Sequence, residues 1–356
     1  MSINLGIDIG SVSLKLAAVG RPEDAELLRG LTRASRAFRS VDGEAAERIA
    51  GPLAISEYRR IQGSPIQAAF DLLKEFHEFV PESMVEGIRV TGSGSRLIAR
   101  LLGIYFENEF KAIARATAAL YPQVRTIFEM GGENCKYVRL DPTEGAHRLG
   151  IVDYSSSGEC AAGTGSFLDQ QASRMEYQVE EIGQVAGCAT CAARIAGRCS
   201  VFAKSDMVHA QQKGYTPPEI LKGLCEAVAR NFKSSIVKGK PVKPPVAFIG
   251  AVSQNQAVAE ALREVFGLAG GELFAPPLHA WLGAVGAALL EQQDRRKRSY
   301  KSIHRLQQHA SEKKPAGSEP LSLENVLLLR HRVKPYRLPE AASLVDAYLG
   351  IDVGSV

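Results

Sequence analysis

The stretch from Ile3 to Val19, INLGIDIGSVSLKLAAV, does most to limit what this chain can fold into. Apolar residues recur at every second position on both sides of Gly10-Ser11, the pattern of two strands joined by a tight polar turn. Asp8 falls at the end of the first strand, so a carboxylate and exposed backbone N–H groups share one loop. Such a turn, Gly10 to Ser13, can wrap phosphate oxygens while the carboxylate reaches Mg²⁺ or its waters. Taken alone, it equally fits an ordinary hairpin with a solvated acid.

Two more segments have the same design. FEMGGENCK places Glu129 at a strand end before Gly131-Gly132, with Glu133 just beyond. VAFIGAVSQNQAVAEAL is a strand, a small-residue turn and a helix, where a flat adenosine can lie on the backbone at Gly250 and Ala251 near Asn255. Acidic strand ends followed by glycine turns suit a phosphate-gripping cleft between two similar lobes, with one carboxylate organising the metal and another orienting water. Lys15 is a candidate for phosphate contact, as is Lys204; surface charge is the alternative for each. Between these motifs, SPIQAAFDLLKEFHEFV predicts an amphipathic helix, EGIRVTGSGSRLIARLLG a strand, turn and helix, and FKAIARATAALYP a helix ending before Pro122. Residues 24–63 are polar and Arg-rich, which predicts short strands and loops. Alternation of helices and strands argues for an α/β fold.

Hydrophobic residues make up 45% and charged residues 23% of 356, enough for one large core or two medium ones. No apolar stretch approaches the roughly 18 residues that span a bilayer, and MSINLGIDIG lacks a signal-type start, so a cytoplasmic protein without membrane association is expected. The net charge of +4 is concentrated: Glu291 to Lys314 holds eight Lys/Arg against three Asp/Glu. With one Trp and no aromatic-interleaved basic face, nucleic acid is not an expected partner.

Five of the six cysteines fall between residues 135 and 199. Without a secretory signal this clustering favours metal or redox use over disulfides. In SSSGECAAGTGSF, Cys160 stands just before Gly163-Thr164-Gly165, where N–H groups at a helix start can meet phosphate. Cys188 and Cys191 form CATC, which fits half a zinc knuckle, extra cluster ligands, a redox dithiol or a plain loop. Cys135 and Cys225 fit packed thiols. His77, His209 and His279 have no partner at a ligand spacing and fit structural or solvated positions.

Together, GIDIGSVSLK, VTGSGSR, EMGGENCK, CAAGTGSFL, CSVFAKSD, FIGAVSQN and GAVGAAL resemble the acetate-kinase, sugar-kinase, heat-shock chaperone and actin superfamily of ATPases. Within it they are similar to the BadF/BadG/BcrA/BcrD family, the activators of 2-hydroxyacyl-CoA dehydratases and ATPase subunits of benzoyl-CoA reductase. The resemblance covers about residues 3–290. It implies an actin-like fold of two ribonuclease-H-like lobes, lobe I about 1–130 and lobe II about 131–290, with a nucleotide cleft between them. It also implies that Cys160 and Cys199 ligate a [4Fe-4S] cluster shared across two subunits or modules, and that ATP hydrolysis drives a low-potential electron from a ferredoxin or flavodoxin to a dehydratase, reductase or double-cubane cluster enzyme. One departure concerns the site: the family's Gly-Gly-Gln-Asp is GGEN here, Gly131 to Asn134, which moves the acid one place.

Beyond residue 290 a basic, Pro-containing connector is expected to residue 345. YLGIDVGSV, Tyr348 to Val356, then repeats Asn4 to Val12 with Val353 in place of Ile9 after the first residue. The expectation is a second module beginning there, so that a homodimer or an intrachain pair of modules supplies the cluster thiolates. Two other functional readings stand beside the activator. One is a sugar-type kinase of the same fold without a cluster, and the other a non-enzymatic nucleotide clamp or zinc-stabilised scaffold.

Overall fold

Strand β1 (Ile3–Ile9) is buried on both faces, and its alternation separates two environments. Ile3, Leu5, Ile7 and Ile9 enter one apolar cluster, with Leu28 and Leu31 of α1 (Ala25–Ala34), Phe70, Leu73 and Phe76 of α3 (Pro65–His77) and Ile98 and Leu102 of α4 (Ser95–Leu102). On the other face Gly6 meets helix α11 (Leu282–Gln293) so closely that a Cβ there would lie 1.9 Å from the Ala284 carbonyl oxygen. The computed structural model describes residues 3–141, 150–157, 163–196, 200–294, 301–311, 322–334 and 348–351.

Lobe I is built on a sheet in the order β3 (Phe38–Val41), β4 (Leu53–Ser56), β2 (Ser13–Val19), β1, β6 (Val85–Thr91), β7 (Tyr105–Phe106), with β5 (Arg59–Arg60) also on β2. Lobe II has the order β10 (Ile151–Ser156), β9 (Cys135–Leu140), β8 (Thr126–Met130), β11 (Val246–Ile249), β12 (Leu273–Phe274). The plans match: an antiparallel hairpin, β1–β2 or β8–β9, is continued by a parallel strand, β6 or β11.

Between the sheets lie α11 and α5 (Glu109–Leu120). Ala17, Val19 and Ile55 from one sheet and Ile127, Val138 and Ile249 from the other bury against Ile113, Leu120, Val285 and Leu289 of these helices. Phe128, Met130, Tyr137 and Phe248 point the opposite way, into a third cluster under α6 (Gly165–Ser173), α7 (Ile182–Gly187), α8 (Ser200–Gln212), α9 (Pro217–Asn231) and α10 (Gln256–Phe266). The order of layers is therefore helices, sheet, α5 with α11, sheet, helices. Each Leu, Ile or Phe withdrawn from water contributes roughly 1.5–3 kcal/mol, so each strand face that alternates correctly fixes its neighbour layer.

Three findings depart from expectation. Residues 24–63 contain helix α1 and the short α2 (Glu44–Arg48) as well as strands. The chain returns from lobe II to lobe I before residue 290, because Gly286 lets α11 cross α5 at backbone distance; a Cβ would sit 1.7 Å from the Ala112 carbonyl oxygen. Buried Arg89 of β6 holds the far end of α11, pairing with Glu291 at 2.9 Å and Asp294 at 2.7 Å. The compact unit runs through Ala310, since Ile303 and Leu306 of the segment around α12 (His304–Ser311) bury in lobe I. A separate unit spans Ser311–Val356; there Tyr348–Ile351 are exposed, and the rest of the repeated motif lies outside the described residues. No helix among the described residues is long and apolar enough to cross a membrane.

Candidate active site

The tips of both hairpins and the turns after β6 and β11 enclose a narrow cavity of about 70 Å³. It is lined by Asp8, Gly10, Ser11, Val12, Ser13, Lys15, Glu129, Gly131, Gly132, Glu133, Gly250 and Ala251, which brings together most of the residues expected at a nucleotide site. It adjoins a roomier, mainly apolar cavity of about 380 Å³ whose wall includes Tyr58, Gly165, Val252, Asn255 and Trp281. Val12, Gly132, Ala251 and His279 line both. The hairpin tips meet here: a Cβ on Gly132 would lie 2.5 Å from Val12 Cγ2.

The two lobes present the same device. Asp8 lies opposite Lys15 in the β1–β2 register, and Glu129 opposite Lys136 in β8–β9. Each turn is closed by the same bond, Gly10 N–H to the Ser13 carbonyl and Gly131 N–H to the Asn134 carbonyl, both 2.9 Å. Behind each tip sits a left-handed glycine on the parallel strand's exit. Gly92 and Gly250 have φ of +96° and +88°, and a Cβ on either would lie 2.3 Å from the carbonyl oxygen of Ile9 or Met130. The serine three residues on, Ser95 or Ser253, donates its hydroxyl to that glycine's carbonyl. Lys136 was not foreseen, although its spacing of seven from Glu129, matching Asp8 to Lys15, was visible in the sequence. Glu109, Tyr58 and His279 also join the wall unannounced.

Charge is distributed differently in the two halves. Lys15 Nζ is 3.2 Å from Asp8 Oδ2 and donates to Ser13 Oγ at 3.1 Å. Lys136 Nζ is 2.6 Å from both Glu129 Oε2 and Glu109 Oε2, the latter in the first turn of α5. Burial pushes the Glu129 carboxyl above the ordinary glutamate range against the pull of Lys136, with smaller upward pushes from Glu109 and Asp8. Burial also acts to lower Lys136, but its two carboxylate partners outweigh that and hold it raised, as an ammonium. His279 is lowered by burial; its Nδ1 donates to the Gly250 carbonyl at 3.0 Å while Nε2 meets Gln254 Nε2 at 2.8 Å.

The Asp8 carboxylate is packed by backbone on two sides, since Cβ atoms on Gly92 or Gly283 would come within 2.7 and 2.9 Å of its oxygens. Larger residues there would displace the acid. Asp8, on the cavity wall, offers a hard oxygen donor of the kind a magnesium ion takes alongside phosphate and water.

Behind the β8–β9 tip, Cys135 makes three bonds. Its N–H donates to Ser157 Oγ at 3.0 Å, its carbonyl accepts from Ser157 N–H at 2.9 Å, and its S–H donates to the Gly163 carbonyl at 3.3 Å. Burial pushes this thiol up to about 12, so it stays a donor. Gly165 and Ser166 N–H groups bond the Gly131 and Gly132 carbonyls at 2.9 and 2.8 Å. Residues 157 and 163, on either side of 158–162, are thus clamped to the turn that lines the cleft.

Cys160 and Cys199 themselves lie outside the described residues. Gly163 and Thr164 are not brought into the cleft wall. Gly165 lines the roomier cavity only, and with its amide engaged by the Gly131 carbonyl the α6 start braces the Gly131-Gly132 turn. Lys204 is exposed on α8 and lines neither cavity. Cys188 and Cys191 are exposed free thiols, the latter donating to Glu219 Oε1 at 2.8 Å, and Cys225 is buried. Among the described residues no three His, Cys, Asp or Glu side chains converge to hold a metal.

Two matched lobes, a hairpin acid from each and a cleft between them define an actin-like fold. The profile of the BadF/BadG/BcrA/BcrD ATPase family matches residues 5–290, and the chain belongs to that family. It is 31% identical over 183 residues to the 2-hydroxyisocaproyl-CoA dehydratase activator of Clostridioides difficile, covering 51% of this chain and 65% of that protein. Identity is 30% over 182 residues, 51% of this chain and 66% of the other, with the (R)-2-hydroxyglutaryl-CoA dehydratase activating ATPase of Acidaminococcus fermentans. Both alignments span just under two thirds of the relative's length. The fold is shared with the solved activator of the 2-hydroxyisocaproyl-CoA dehydratase from Clostridium difficile with bound ADPNP, at a TM-score of 0.62 and 22% identity, covering 89% of this chain and all of that one.

Proposed function

We propose that this chain is a cytoplasmic, ATP-hydrolysing activator. It takes an electron from a ferredoxin or flavodoxin and delivers it at low potential to a 2-hydroxyacyl-CoA dehydratase, a benzoyl-CoA reductase or a related double-cubane cluster enzyme. The triphosphate lies between the hairpin tips and the adenosine in the adjoining cavity against Gly250, Ala251 and Asn255. Asp8 holds the cation, with Lys15 compensating its charge, while Glu129 or Glu133 orients the attacking water. A magnesium ion on Asp8, when bound, neutralises charge on the β- and γ-phosphates. Cys160 and Cys199, two thiolates from each of two subunits or of two modules repeated at Tyr348, would hold a [4Fe-4S] cluster, which would relay the donor's electrons one at a time.

The observation that carries this reading is the clamp at Cys135. Residues Gly131 to Asn134 line the cleft and Cys135, next in the chain, bonds Ser157 and Gly163; a shift of the turn on loss of the γ-phosphate would thereby pass to the ends of the segment that contains Cys160. The test is reconstitution under argon of the chain with MgATP, a reduced ferredoxin and a dehydratase component. Dehydration that depends on both ATP and this chain is the expected result. ATP turnover that instead requires a sugar acceptor, by protein without iron, would replace the activator with the kinase.

A further inference from the structure

We propose that Lys136 is a positioning residue for hydrolysis, one that sets the Glu129 carboxylate by tying it to Glu109 at the start of α5. This rests on the ATPase reading above. Lys136 is buried, 6% exposed, and its ammonium bonds Glu129 of β8 and Glu109 of α5 at the same distance, 2.6 Å. Its twin Lys15 spends its bonds on Asp8 and Ser13, both in its own hairpin. The matched hairpins therefore differ in one respect: the lobe II acid is tied, through its lysine, to a second carboxylate outside its own hairpin.

The charged groups facing Glu129 are Lys136 on β9, Glu109 on α5 and Asp8 on β1. Of these only Lys136 is a cation, and a buried carboxylate deprived of its cation is strongly disfavoured as an anion. Removing the ammonium leaves two acids facing one another, and Glu129 must then turn away or take up a proton. Either change removes a water-orienting group from its place without touching the surfaces that bind adenosine.

The test is steady-state ATP turnover by wild type, K136M, E129Q and the double variant, with melting temperatures to establish folding. K136M is expected to lower kcat by about ten- to a hundredfold with KM for MgATP changed less than about threefold. In the E129Q background the same substitution should cost nothing further, because its target is already gone. A purely structural role would multiply the two losses, and a direct phosphate contact would raise KM; either result overturns the proposal, as does a folded K136M with wild-type kcat. If K136M does not fold, the isosteric E109Q carries the same cycle, with a smaller single effect that again vanishes beside E129Q. Absence of ATP turnover by wild type would instead overturn the ATPase reading, and this inference with it.

Discussion

Replacing Asp8 with Asn, or Glu129 with Gln, should lower kcat for ATP hydrolysis by about a hundred- to a thousandfold, the usual cost of removing one group that stabilises the transition state. Both changes keep shape and remove charge. Asp8 is wedged between Gly92 and Gly283, so its amide has no room to swing away and the fold should survive. The E129Q effect has a signature in pH. Burial raises the Glu129 carboxyl, so with Glu129 in the proposed water-orienting role kcat should fall as pH drops through a value above the ordinary glutamate range and the carboxylate takes up a proton. In E129Q that acid limb should disappear. Steady-state kinetics between pH 5 and 8 would check both, and a D8N enzyme with wild-type kcat would remove Asp8 from the site.

The second large effect concerns iron. In C160A or C199A protein prepared without oxygen, iron per chain should fall to background and activation of an acceptor enzyme should cease. C188A and C191A should retain both. The reason for the contrast is placement: Cys191 is already bonded to Glu219 at the surface, and the CATC carbonyl of Ala189 accepts from Lys222, so this segment is fixed to α9. Gly223 allows that approach, since a Cβ there would lie 1.9 Å from the Ala193 carbonyl oxygen. Iron analysis with visible spectroscopy reads the outcome. Zinc in place of iron, lost on changing Cys188, would move the account to a zinc-stabilised scaffold.

Much of the site was legible because phosphate chemistry demands short, local signals. An acid at a strand end followed by glycines is visible within ten residues, and Asp8, Glu129, Gly131 and Gly250 do share one cavity. The strands and helices flanking these turns follow directly from apolar alternation. What escaped depends on contacts between distant segments. Glu109 meets Lys136 only because α5 lies between the sheets, and nothing in FKAIARATAALYP signals it. The α6 start looked like a phosphate cradle from GTG alone. Gly165 does line the roomier cavity, while its amide and that of Ser166 serve the carbonyls of Gly131 and Gly132, a choice set by tertiary packing. Helix α11 carries the GAVGAAL motif, but its packing on β1 and α5 depends on Gly6 and Gly286, which become informative only when the backbone opposite each is known.

The most direct measurement compares anaerobic, reduced wild-type protein by electron paramagnetic resonance with ADP and with a non-hydrolysable ATP analogue. If the cleft turn pulls on both ends of the segment bearing Cys160, the signal and its midpoint potential will differ between the two nucleotides. Identical spectra and potentials with both, in protein that binds both, would show that the cleft and the thiolate are not coupled.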